Sequence, residues 1–165
     1  MFASALLAIP VMAVLAIIQI VVLPRFSFFP VDPSLPFLVA LAWSLVSNVE
    51  EGAVWAFIGG LLMDIFTIAP VGGLSLTYVA AVIAVNLMVD LLPPNQFVVP
   101  VISAVIATTI QQLLYILYLR LFGILANTTL IVLLQIVVVQ AILIIPIYWF
   151  LFFIKRTIRP RPVRI

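Results

Sequence analysis

Asp64 is the one acid set deep in an apolar run, Gly59-Gly60-Leu61-Leu62-Met63-Asp64-Ile65-Phe66, and it follows Gly52, Ala56 and Gly60 at regular steps of four. Residues four apart share a helix face, so the small residues form a stripe that leads to a carboxyl group. Such a stripe lets another helix approach closely. The carboxyl has three possible uses: an ion or proton site, a partner contact, or a clasp on the turn that follows. An aspartate central in a membrane helix costs roughly 2.5–3.5 kcal/mol on insertion scales. It therefore needs a hydrogen-bond partner, water or a proton, and Ser75, Thr77, Tyr78 and Arg120 are the candidate partners. The clasp is the favoured reading, because Asp64 stands just before the turn signal Pro70-Val71-Gly72-Gly73.

A second set, Ala104, Thr108, Gln111, Tyr115 and Tyr118, recurs at alternating steps of four and three and predicts a polar stripe on one helix. Gln135 and Gln140 are possible counterparts on a neighbouring helix. Interhelical hydrogen bonding is favoured over a lined cavity or docking groove. Such bonds average about 0.6 kcal/mol in a membrane, so they set specificity more than stability.

Catalysis has little to work with. The absence of cysteine and histidine removes thiol nucleophiles, disulfides and Cys/His metal sites. No Ser or Thr has a histidine partner, and Asp64 and Asp90 fall near opposite membrane faces in a six-span topology, too far apart for paired acid and base work. Glu50-Glu51 reads as a solvated connection. No phosphate loop, metal-ligand spacing or basic aromatic surface for nucleic acid is present. The reading is non-enzymatic, with no cofactor and no metal.

The elements that carry these residues follow from composition. The 165 residues are 67% hydrophobic and 7% charged, with a mean hydropathy of +1.47, far from an ordinary soluble domain at about 25% charged. At about 20 residues per crossing, the length predicts an all-α membrane protein of about six transmembrane helices in one compact bundle. The apolar runs are 3–23, 33–48, 52–69, 74–92, 98–122 and 128–154. The first has no preceding cation and reads as a retained span, not a signal peptide. Pro10 and Pro146 predict bends, and Asp32-Pro33 predicts a cap for a short second helix that is tilted, thins the bilayer or is partly re-entrant. No internal repeat is evident. Lys155, Arg156, Arg159, Arg161 and Arg164 make 155–165 a basic tail; the positive-inside rule then puts both termini in the cytoplasm.

The run Gly59 to Phe66, followed by Ala69-Pro70-Val71-Gly72, resembles the signature of the rod shape-determining MreD family, a Gly-Leu-Leu-x-Asp run and then a Pro-x-Gly turn. Gly60, Asp64, Pro70 and Gly72 match that motif. The resemblance implies a fold similar to the substrate-binding subunits of energy-coupling-factor transporters. It also implies a scaffold of the elongation machinery that binds MreC and, with the MreB system, supports lateral peptidoglycan synthesis by RodA and its penicillin-binding partner. The alternative is a vitamin-binding subunit of an energy-coupling-factor transporter; a proton-coupled carrier rests on Asp64 alone. With so little extramembrane mass, partner contacts are expected on Gly52, Ala56 and Gly60 or on Thr108, Gln111 and Tyr115.

Overall fold

Apolar runs punctuated by proline and glycine resolve into six α-helices in a computed structural model that describes residues 2–25, 33–67, 70–89, 98–124 and 129–158; no strand occurs among them. They are α1 (Phe2–Ile17), α2 (Leu35–Val46), α3 (Val49–Asp64), α4 (Gly73–Met88), α5 (Val98–Leu121) and α6 (Leu130–Ile158). A π-helical turn, Ile18–Val22, and a 3-10 turn, Leu23–Arg25, prolong α1.

Three helical segments are long and apolar enough to cross a membrane: Leu6–Arg25, Val98–Leu121 and Leu130–Thr157. The other three are shorter. α2 has 12 residues and α3 and α4 have 16 each, about 18 and 24 Å at 1.5 Å per residue, against a hydrocarbon core of about 30 Å.

The shortest helix sits in the middle. Residues Phe37 to Ala42 of α2 are all buried, the pattern of a helix apolar on every side, and α2 packs against all five others. Its ends are met by side chains from elsewhere. The π-turn carries Gln19, whose Oε1 accepts from Leu35 N at 2.9 Å, and the Ser34 hydroxyl pairs with the Tyr78 hydroxyl. At the other end Lys155 Nζ of α6 donates to Val46 O. The Gln19 and Lys155 bonds answer backbone groups that every helix end leaves without an intrahelical partner.

Several boundaries differ from the sequence expectation. α2 starts at Leu35 with Ser34 as its N-cap and Pro36 in the first turn, not at Pro33; Asp32 lies outside the described residues. α3 starts at Val49, so Glu50 and Glu51 form its acidic first turn, which suits the positive end of the helix dipole. Only Glu50 is exposed; Glu51 is buried. α6 runs to Ile158, so Lys155 and Arg156 belong to the helix and not to a tail. Pro10 and Pro146 lie within continuous helices.

Candidate functional site

The turn between α3 and α4 gathers the motif residues. Gly72 is the N-cap of α4 with φ +109°, a conformation open to glycine and strained for other residues. Having no side chain, it supplies none of the acceptors that Ser, Thr, Asp or Asn give at this position. Asp64 supplies them from the end of α3. Its Oδ2 accepts from Gly72 N at 3.0 Å and Ser75 N at 3.2 Å, and its Oδ1 accepts from Leu74 N at 2.9 Å. The carboxyl, 1% exposed, thus caps a helix that it does not belong to.

Gly60 lets the two helices come close enough for this. A Cβ there would stand 2.4 Å from Ser75 Cα and 2.6 Å from Ser75 N. On the far side, Tyr118 of α5 lies against Gly73, where a Cβ would meet its ring at 2.4 Å. The Tyr118 hydroxyl donates to Pro70 O at 3.0 Å. Thr67 Oγ1 donates to Asp64 O, and Ser75 Oγ to Gly72 O. Gly60, Asp64, Pro70 and Gly72 therefore share one hydrogen-bonded turn, closed by α5.

The donors differ from those expected. Ser75 offers its amide, not its hydroxyl, to Asp64; Thr77 Oγ1 donates to Gly73 O and Leu74 O within its own helix. Tyr78 pairs with Ser34. Arg120 is exposed and forms no ion pair with Asp64 among the described residues.

The small-residue stripe is covered by the chain itself. A Cβ at Gly52 would lie 2.1 Å from Ser44 Cβ of α2, Ala56 is fully buried, and Gly60 abuts α4. The expectation that these three offer a docking face is corrected: they pack α3 between α2 and α4.

Comparison with protein-family models, curated proteins and solved structures finds no match to this chain. The site is therefore read from its own chemistry.

On α5, Thr108 Oγ1 donates to Gln140 Oε1 of α6 at 2.6 Å. Ala104 and Gln111 are buried and Tyr115 is half-buried, so this stripe faces the bundle. Gln111 Oε1 and Ser103 Oγ are buried without a hydrogen-bond partner among the described residues. Gln135 does not join Thr108; it lies on the outer side of α6 with Ile131, Leu134 and Val138. Asp90 is outside the described residues.

One polar cluster escapes the sequence reading. Glu51 Oε2 accepts from Trp43 Nε1 at 3.1 Å and Ser47 Oγ at 2.6 Å, while Trp43 stacks on Trp55 at 4.8 Å between centroids. Asn86 Nδ2 joins this region by donating to Ser44 Oγ at 2.9 Å. Spacing along the chain does not reveal this cluster, because the backbone leaves the helical conformation at Ser47 and Asn48, between Trp43 on α2 and Glu51 on α3. In chemical terms each of these polar groups holds helix ends or helix pairs together.

Proposed function

We propose that the chain is a multi-pass protein of the bacterial inner membrane, crossing about six times with both termini in the cytoplasm, and that it serves as a non-enzymatic scaffold of the elongation machinery. The observation that carries this reading is the convergence of the four MreD-like motif positions, Gly60, Asp64, Pro70 and Gly72, on one turn. A motif spent on capping and close packing specifies a shape. A shape presented to other membrane proteins is what a scaffold offers. The outward apolar faces of α1 and α6, with Leu6, Leu7, Val14, Leu130, Val138 and Ile142 exposed, support solvation by lipid. In that setting the partner is an MreC-like single-span protein, which in turn connects to RodA, its penicillin-binding partner and the MreB system.

The test is co-expression of the full chain with the MreC-like protein of its own genome, followed by capture in nanodiscs and depletion in cells. Stable capture and loss of rod shape on depletion are expected. A chain that folds, is not captured and leaves cell shape unchanged on depletion refutes the scaffold.

The vitamin-binding reading, with a fold similar to energy-coupling-factor subunits, draws on the unpartnered Gln111 Oε1 and Ser103 Oγ, since a ligand of polar character can satisfy buried groups that the protein leaves open. Native mass spectrometry of the purified chain with riboflavin, thiamine and biotin decides it. A retained adduct lost in Gln111→Leu favours that function over the scaffold.

A further inference from the structure

A helix in the middle of a bundle need not match the bilayer, whereas a helix on its outside must. α2 is surrounded by the other five, so its 12 residues set no lipid boundary. α3 and α4 do face outward, with Phe57 and Leu61 of the one and Leu76, Ile83 and Leu87 of the other exposed. Each has 16 residues and rises about 24 Å, which is about 6 Å short of an ordinary hydrocarbon core.

Their limits are chemical as well as geometric. α3 opens on the exposed, charged Glu50 and closes at Asp64, whose carboxyl gathers the amides of the turn. Asp90 follows soon after the end of α4 in the sequence. The other ways of fitting a short helix to a thicker membrane are closed here. Tilt lowers a helix and cannot raise it. Snorkelling needs long cationic side chains near the helix ends, and no lysine or arginine occurs between Arg25 and Arg120, a stretch that contains both helices. Nor can the pair slide apart to gain height, because Gly60 meets the Ser75 backbone and Asp64 holds the start of α4.

α6 is built the other way. It packs on α5 and α2, whereas α3 packs on α4, α2 and α1, so α2 is their common neighbour. The 29 residues of α6 extend about 43 Å. Its exposed apolar side chains run from Leu130 to Phe153, and Lys155 and Arg156 stand in its last turn. A helix of that length reaches both headgroup layers, and tilt absorbs the surplus.

We infer that the α3–α4 side of the bundle holds a locally thinned bilayer, about 6 Å thinner than an ordinary core, and selects phospholipids with short acyl chains over long ones. The inference rests on the chain spanning a membrane as proposed above, and not on the elongation-complex role.

Because the chain has no cysteine, a single one can be placed in the full protein and labelled with bimane. Ile83→Cys and Leu87→Cys report on α4, and Val138→Cys and Ile142→Cys on α6; all four positions are exposed, and paired sites guard against one that disturbs folding. In vesicles of dioleoyl phosphatidylcholine carrying a doxyl-labelled phosphatidylcholine of the same chain length, the nitroxide quenches bimane where lipid touches it. Dimyristoleoyl phosphatidylcholine is expected to displace the quencher about three- to tenfold more effectively from the α4 sites than from the α6 sites, since a modest cost per ångström accumulates over the mismatch. Dierucoyl phosphatidylcholine, with longer chains, should reverse the order. Equal displacement on α4 and α6 overturns the inference. So does quenching confined to α6 in a chain that resists carbonate extraction, which would show that α4 is not covered by lipid. Release by carbonate, with no quenching at any site, overturns it together with the membrane reading.

Discussion

Asp64→Leu removes the three bonds that the carboxylate accepts at the start of α4 and puts methyl groups where its two oxygens stood. Three amides lose their partner. Gly72 N lies at the edge of the turn, in a part-buried bond, whereas the bonds of Leu74 N and Ser75 N are buried. A buried donor left unsatisfied costs about 1–3 kcal/mol, so the two buried amides set a range of about 2–6 kcal/mol. Polar bonds in membranes measure weaker than this because the unfolded chain also finds partners, and the expected loss is therefore at the low end, about 2 kcal/mol.

Asp64→Asn separates the two oxygens. Oδ2 serves both Gly72 and Ser75, and Oδ1 serves Leu74 alone. The amide keeps most by placing its oxygen on the double site, which aims its NH2 at the Leu74 N–H and sacrifices one bond. That variant should lose about 1 kcal/mol. The assay is equilibrium unfolding by SDS in mixed micelles, followed by tryptophan fluorescence, with hydrogen exchange read at Leu74 and Ser75. The order of stability expected is parent, Asn, Leu, with exchange accelerated at the same two amides. A Leu variant within about 0.5 kcal/mol of the parent, with both amides still protected, refutes the capping argument.

Adjacent glycines should respond differently. Gly60→Ala forces a Cβ against Ser75 backbone atoms at 2.4 and 2.6 Å and should cost about 2–3 kcal/mol; Gly59→Ala meets Met12 Sδ at 3.1 Å and Pro36 Cβ at 3.2 Å, where a flexible Met can yield, and should cost under about 1 kcal/mol. The same SDS titration compares them. Gln19→Leu removes the acceptor for Leu35 N and should lower stability by about 1 kcal/mol, with faster exchange at Leu35; unchanged exchange there would show that the π-turn glutamine does not cap α2. Reporter fusions at Met1 and Arg161 should both lie in the cytoplasm and one at Gly123 outside; opposite locations for the two ends would mean an odd number of crossings.

The sequence carried the helical class because the apolar runs are long and their breaks are marked by proline and glycine. It also singled out Asp64 and Gly60, since a lone acid in an apolar run and a four-residue glycine step each have few physical explanations. It could not show which groups face Asp64. Side-chain spacing along a helix predicts side-chain contacts, but the three donors are backbone amides exposed by a helix start, and amides leave no mark in residue type. The helical position of Glu51 is hidden for a related reason. Two adjacent acids resemble a loop, although α3 has already begun at Val49 and its dipole favours acids there. The outward direction of Gln135 is invisible to composition too, because Gln135 and Gln140 are chemically the same and five residues apart.

The short helices make sense once their ends are considered together. On the membrane reading proposed above, a 12-residue α2 would not place both ends in headgroups on its own, and lipid would give its terminal N–H and C=O groups no partners. Its N-terminal amide at Leu35 takes an acceptor from Gln19, and its C-terminal carbonyl at Val46 takes a donor from Lys155. α4 has the same problem at its start and solves it with Asp64. The long helices α1 and α6 thus serve as supports whose polar side chains reach in from the rims, Lys155 by extending its stem along apolar surface. Gln19 precedes α2 in the chain, but Lys155 comes at the end of the last helix. Both ends of α2 therefore have side-chain partners only where α6 is docked, which ties the shortest helix to the longest.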